Sequence, residues 1–100
     1  MSIRIIANAA GTETSDPFRV GPEDLPATLQ IFNGSGTDSA KVQRSYDGGT
    51  SFEDYKIDGT VVAVAENLTN IKAIDAQGIF RVVKTTAGAA GVSLSKGRDL

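Results

Sequence analysis

The chain has 100 residues, the length of one domain with room for a single hydrophobic core. It contains no His, Cys or Trp, which excludes the common zinc sites, Cys nucleophiles and Ser–His pairs. The formal net charge is −2 and Lys and Arg never cluster, so we expect no nucleic-acid partner. We expect a non-enzymatic protein without a cofactor, and a Ser–Lys pair is the one nucleophile arrangement left open.

The apolar run near the N-terminus is too short for a signal sequence or a membrane span, so we expect no membrane partner. The lack of Cys removes the disulfides expected of a small secreted domain. Both features favour synthesis and folding in a reducing cytoplasm.

Short segments rich in Val, Ile, Thr, Phe and Tyr recur between clusters of Gly, Asp, Asn and Ser, which is typical of antiparallel sheets. The first twenty residues differ in character, because 9–16 is small and polar and Pro17 cannot donate a ladder hydrogen bond, and a break at 21–26 separates them from the rest. We predict an N-terminal strand and extended arm over 1–26 and a β-sandwich body over 27–100. The arm either closes the sandwich or reaches toward a neighbour.

Within the body, residues 27–32 alternate, with Leu29 and Ile31 on one face of the predicted strand. Residues 40–46 alternate as well, with Val42 and Tyr46 directed inward and Arg44 breaking the inner row near a rim.

Two turns predict a central meander. The run DGGTS at 47–51 joins strands at 42–46 and 52–57, because its glycines allow positive φ values. Asp58 and Gly59 then reverse the chain into a third strand at 61–65.

Further strands are predicted at 71–74, 79–84 and 91–94, which gives seven or eight short strands and no intervening helix. Such strands bury one face of each sheet in a sandwich or a small barrel. We predict an all-β fold, a small antiparallel β-sandwich of immunoglobulin-like type. The sequence DAQGIF at 75–80 partly matches a tyrosine corner, with Phe80 where Tyr is usual.

Acidic residues near the turns suggest a calcium site, although Asp–Gly pairs also form turns without any ion. The candidate ligands are Asp47, Asp54 and Asp58. Aromatic residues around the first turn suggest either a sugar platform or core packing. They are Tyr46, Phe52 and Tyr55.

Arg81 is the leading candidate for a protein interface, because its strand has apolar neighbours on both faces and Arg is enriched at interface hot spots. The other candidate interface residues are Ile3, Ile5, Phe18 and Arg44.

The order of several short motifs resembles that of small structural proteins of tailed bacteriophages. The motifs are ATLQIFNGSG at 27–36, RSYDGGTSF at 44–52, GIFRVVK at 78–84, and Gly91 with Val92. Several such phage proteins are head decoration, or cement, proteins.

The resemblance implies a virion protein made in the bacterial cytoplasm, located on the capsid surface and bound to the major capsid protein. It also implies many copies, with a homotrimer as the expected oligomer. Two alternatives remain open: a head-to-tail or tail accessory protein, and an immunoglobulin-like carbohydrate- or receptor-binding module.

Overall fold

The computed structural model describes residues 2–6, 11–32, 36–67, 71–74, 76–86, 88 and 90–95, without the side chains of 2–5. These residues form β-strands and one 3-10 helix, Pro22–Asp24. No helix in these ranges is long and apolar enough to cross a membrane. In chain order the strands are β1 (Ser2–Ile6), β2 (Glu13–Thr14), β3 (Phe18–Val20), β4 (Ala27–Phe32), β5 (Ser39–Ser45), β6 (Glu53–Asp54), β7 (Lys56–Ile57), β8 (Thr60–Val61), β9 (Ala63–Ala65), β10 (Ile71–Ile74), β11 (Gly78–Lys84) and β12 (Gly91–Ser95).

The strands form two antiparallel sheets that enclose one core. Sheet I has the order β1, β12, β4, β10. In sheet II, β11 and β5 are central, with β2 and β3 beside β11 and with β6 and β9 beside β5. The two-residue strands β7 and β8 pair only with each other.

The strand order is that of a jelly roll. Because β2 and β3 follow one another along β11, and β6 and β9 along β5, the sandwich has eight strand positions. The first position pairs with the last, the second with the seventh, the third with the sixth and the fourth with the fifth. This nested pairing is a long hairpin rolled into two sheets. The predicted small antiparallel β-sandwich is confirmed.

The immunoglobulin-like strand order predicted from the sequence is wrong. In that fold the last two strands are neighbours in one sheet. Here β11 lies in sheet II, whereas β12 crosses to sheet I and lies between β1 and β4. The register places Val92 opposite Ile31 and Leu94 opposite Leu29, so the apolar rows of β12 and β4 face the core together.

The core lies between the inner faces of the sheets and follows the predicted alternation. Leu29 and Ile31 are fully buried on β4, and Phe80 and Val82 are fully buried on β11. Burial of each such side chain contributes about 1.5–3 kcal/mol. This core fixes the backbone of sheet II, on which the candidate sites lie.

The segment before Ala27 closes the sandwich at the edges of both sheets. β1 pairs with β12, and β3 pairs with β11. Between β2 and β3, Ser15 N donates to Val82 O at 2.8 Å, and Val82 N donates to Ser15 Oγ at 2.9 Å. Pro17 follows at this break in the edge strand, where its missing N–H is tolerated.

Both predicted turns of the central meander are present, but its third strand pairs differently. Asp58 and Gly59 take φ values of +52° and +80°, as a two-residue hairpin turn requires. After this turn β9 returns to β5, with Ala65 opposite Ser39. The β7–β8 hairpin therefore interrupts one strand position, because Val42 N bonds to Val62 O before β9 begins.

Candidate functional site

Arg81 lies on the outer face of sheet II over the ring of Phe52. Its guanidinium carbon is 4.4 Å from the ring centre, and its Nε donates to Gln43 Oε1 at 2.7 Å. Gln43 Nε2 donates to Asp54 Oδ1 at 3.0 Å, and Lys41 Nζ is 3.0 Å from the same oxygen. Arg81, Gln43, Asp54 and Lys41 form a hydrogen-bonded row across three strands, which we call the Arg81 row.

The Arg81 row has a cation at each end and apolar flanks. The hydrogen bond from Gln43, and then the one from Lys41, lower the pKa of the Asp54 carboxyl. Ile79 and Val83 lie on the same face of β11, two residues before and two residues after Arg81, and both are half-buried. This face therefore presents a fixed guanidinium between two apolar side chains.

Arg44 lies at the end of the inner row of sheet II, beside a cleft of about 610 Å³. We call it the Arg44 cleft, and residues 19–23, 44–46, 48 and 77–79 line it. The β3 edge strand, the end of β5 and the start of β11 meet there because Gly78 pairs with Val20 and Ile79 with both Arg19 and Ser45.

The Arg44 guanidinium is held by the backbone and by aromatic rings. Its Nη2 donates to Gln77 O at 2.7 Å, and its carbon lies 5.0 Å from the Tyr46 ring centre and 5.5 Å from that of Phe80. Gly78 leaves room for it, because a Cβ there would lie 2.9 Å from Arg44 Nε. That Nε is buried and has no hydrogen-bond partner.

The three aromatic residues near the first turn do not form one platform. Tyr46 is 69% exposed at the Arg44 cleft, so its predicted inward orientation is wrong: β5 ends at Ser45 and the turn begins with Tyr46. Tyr55 is only 8% exposed and meets Phe80 edge-on at 5.3 Å. Phe52 is half-buried under Arg81. Of these three rings only that of Tyr46 is largely exposed, and the Arg44 guanidinium lies against it.

Asp47 organises its own turn. Its carboxylate accepts hydrogen bonds from Ser51 Oγ, Ser51 N, Thr50 N and Ser45 Oγ at 2.6, 2.9, 3.1 and 2.8 Å. The two bonds from Ser51 are the main cause that lowers the pKa of Asp47 well below its usual range. Asp54 belongs instead to the Arg81 row, and no three His, Cys, Asp or Glu residues in the described ranges could hold a metal ion.

Of the other predicted interface residues, Phe18 packs against the core. Its ring stacks on Phe80 with centres 6.3 Å apart and an angle of 28°. Ile3 is opposite Leu94 in the backbone register of β1, but the side chains of Ile3 and Ile5 lie outside the described residues.

A buried polar cluster that was not predicted from the sequence lies at the end of β11. Lys84 is fully buried, and its Nζ donates to Gly88 O at 2.8 Å and to Ala90 O at 3.3 Å. Asp38, only 2% exposed, accepts from Thr86 Oγ1 at 2.6 Å and Gly88 N at 3.1 Å. The alternation of β11 could have indicated this burial, because alternate residues of a strand share a face and Lys84 therefore lies on the same side as Phe80 and Val82.

The two sites offer chemistry for binding. The Arg81 row provides a stacked cation with apolar flanks, and the Arg44 cleft provides a cation beside an exposed ring. No family model, curated protein or solved structure matches this chain.

Proposed function

We propose that this protein is a structural component of a tailed-phage virion, a decoration protein that binds and stabilises the mature head. The observation that carries the proposal is the fixed Arg81 on the outer face of sheet II. Protein interfaces are enriched in Arg and aromatic residues, and their strongest contacts occur where such side chains are held in place.

The stacking on Phe52 and the hydrogen bond to Gln43 restrict the Arg81 side chain before any partner binds. Binding then costs less side-chain entropy than it would for a free Arg. The guanidinium has further N–H donors, which suit a carboxylate or carbonyl oxygen of the major capsid protein. The half-buried Ile79 and Val83 would exclude water around that contact.

The jelly-roll order gives additional support. Viral capsid domains use this architecture, although lectins and cupins use it as well, so the fold supports the proposal only by analogy. Of the phage-like motifs identified in the sequence, GIFRVVK contains Arg81, and RSYDGGTSF contains Phe52, the ring on which Arg81 stacks.

The mechanism is thermodynamic. A protein that binds the expanded shell and not its precursor stabilises the expanded shell by mass action. Weak contacts suffice when many copies bind one lattice, and a homotrimer would present three Arg81 rows to a local three-fold position.

Binding to heads of the source phage tests the proposal. Wild-type protein is expected to cosediment with expanded, DNA-free heads and to raise the temperature at which they disrupt. Arg81→Ala is expected to weaken binding at least tenfold, which corresponds to a loss of about 1.4 kcal/mol in binding free energy. Lys72→Ala is the matched control, because Lys72 is an exposed cation on β10 of sheet I, whereas the Arg81 row lies on sheet II.

Failure of the wild-type protein to bind expanded heads would overturn the proposal. Equal binding of Arg81→Ala and wild type would refute the role of the Arg81 row. Counting copies per virion separates the alternatives, since a head decoration protein is expected in hundreds of copies and a head-to-tail or tail component in small multiples of three, five, six or twelve.

A further inference from the structure

The Arg44 cleft contains a cation that has no anionic partner among the described residues. Nη2 of Arg44 donates to one backbone carbonyl, and no carboxylate of the described residues forms an ion pair with the guanidinium. Its other close neighbours are the rings of Tyr46, Tyr55 and Phe80, at 5.0, 5.9 and 5.5 Å. Half-buried guanidinium groups with unused N–H donors are well suited to planar anions such as carboxylates.

The position of Arg44 is fixed by the fold. The hydrogen bond to Gln77 O and the close approach of Gly78 restrict the guanidinium from one side, and the aromatic rings restrict it from another. The buried, unpartnered Nε is an energetic cost that the structure tolerates at this position. Such preorganisation is characteristic of side chains that contact a ligand.

The remaining walls of the cleft favour a sugar ring over a simple anion. The exposed ring of Tyr46 suits the apolar C–H face of a sugar. The Glu23 carboxylate, beside Gly21, and the Gln77 side chain can bond to hydroxyl groups, and Arg19 adds a second cation. A volume of about 610 Å³ lies within the range of small-molecule sites.

From this combination we propose that the Arg44 cleft binds an acidic sugar, with its carboxylate on Arg44 and its ring on Tyr46. A peptide with an acidic side chain fits less well, because the exposed ring and the Glu23 carboxylate would have no role in its binding. The site is separate from the Arg81 row and does not depend on head binding.

Titration with uronic acids tests this proposal. The probe is a glucuronic acid disaccharide, and two-dimensional NMR of the full chain monitors its binding. The corresponding glucose disaccharide and a glutamate-containing peptide are the comparison ligands. The acidic sugar is expected to shift the amide signals of residues 44–48 and 77–79. Its affinity, taken from the titration curve, should be at least tenfold higher than that of the neutral sugar. Its affinity is expected to fall as salt is added.

Two variants locate the contacts. Tyr46→Ala removes an exposed side chain, so the fold should persist, and binding is expected to weaken about tenfold. Tyr46→Phe keeps the ring and should bind normally, whereas Arg44→Lys keeps the charge and should lose most of the affinity because it cannot bind a carboxylate in bidentate fashion.

Equal affinity for the acidic and neutral sugars would overturn the proposal, as would tighter binding of the peptide. Absence of binding at millimolar sugar, with a normal NMR spectrum of the free protein, would overturn it as well. If Tyr46→Ala loses sugar binding but still binds phage heads, the cleft and the Arg81 row are independent sites.

Discussion

Substitution of Lys84 by Met tests how the buried polar cluster contributes to stability. Met keeps the unbranched apolar stem, so the packing of β11 should change little. It removes the ammonium group, which leaves the carbonyls of Gly88 and Ala90 without this donor. It also removes the positive charge from a cluster that contains the buried Asp38 carboxylate, since Lys84 and Asp38 both bond to the backbone of Gly88. The change thus isolates the polar contribution of the side chain.

The expected loss is about 3 kcal/mol, because hydrogen bonds from a charged donor contribute about 1.5–3 kcal/mol each and Met recovers part of this by avoiding desolvation. In a domain of this size such a loss lowers the melting temperature by roughly 10–25 °C. Thermal unfolding followed by circular dichroism measures it. Lys56→Met, at an exposed position, is the control and should stay within about 0.5 kcal/mol of wild type.

A second substitution makes the test sharper. Adding Asp38→Asn to Lys84→Met should restore part of the stability, because the buried negative charge is then removed together with the positive one. A melting temperature of Lys84→Met within about 2 °C of wild type would correspond to less than 1 kcal/mol. The hydrogen bonds of the ammonium group would then only offset the cost of burying it, and our reasoning would be refuted.

Two further predictions concern the turn and the cleft. Gly78→Ala should lower the free energy of unfolding, measured by urea denaturation, by about 1–3 kcal/mol, because φ at this position is +152° and the new Cβ would displace Arg44. An unchanged urea midpoint would contradict the close approach of Gly78 to Arg44. Asp47→Ala should be less stable than wild type at neutral pH. Because hydrogen bonds from Ser51 lower the folded-state pKa of Asp47, its contribution is complete above the ordinary Asp pKa of about 3.9 and is lost as the pH falls further. The difference in melting temperature between wild type and Asp47→Ala should therefore narrow below about pH 4, and a constant difference would refute this cause.

The local features of this protein were predictable because they depend on neighbouring residues. Alternation placed Leu29 and Ile31 in the core, and the sequences around Gly48 and Asp58 placed the turns, since few other residues adopt positive φ readily. Arg44 was expected to interrupt an inner row near a rim, and it lies at the end of that row.

Tyr46 shows where local prediction fails. Alternation from Val42 directed it inward, but the strand ends one residue earlier and the turn rotates its side chain into solvent. Lys84 is a second such case, because charged residues are usually exposed but backbone carbonyls satisfy this ammonium group inside the protein.

The sequence by itself determined an all-β chain with one core and two tight turns. Only the tertiary structure decided which sheet each strand joins, and therefore that Gln77, Arg19 and Arg44 meet around one cleft. The reason is physical: strand formation follows local alternation and turn chemistry, whereas strand pairing depends on which apolar rows best fill the shared core. The functional proposals depend on that pairing, because residues far apart in sequence, such as Phe52 and Arg81, form each site.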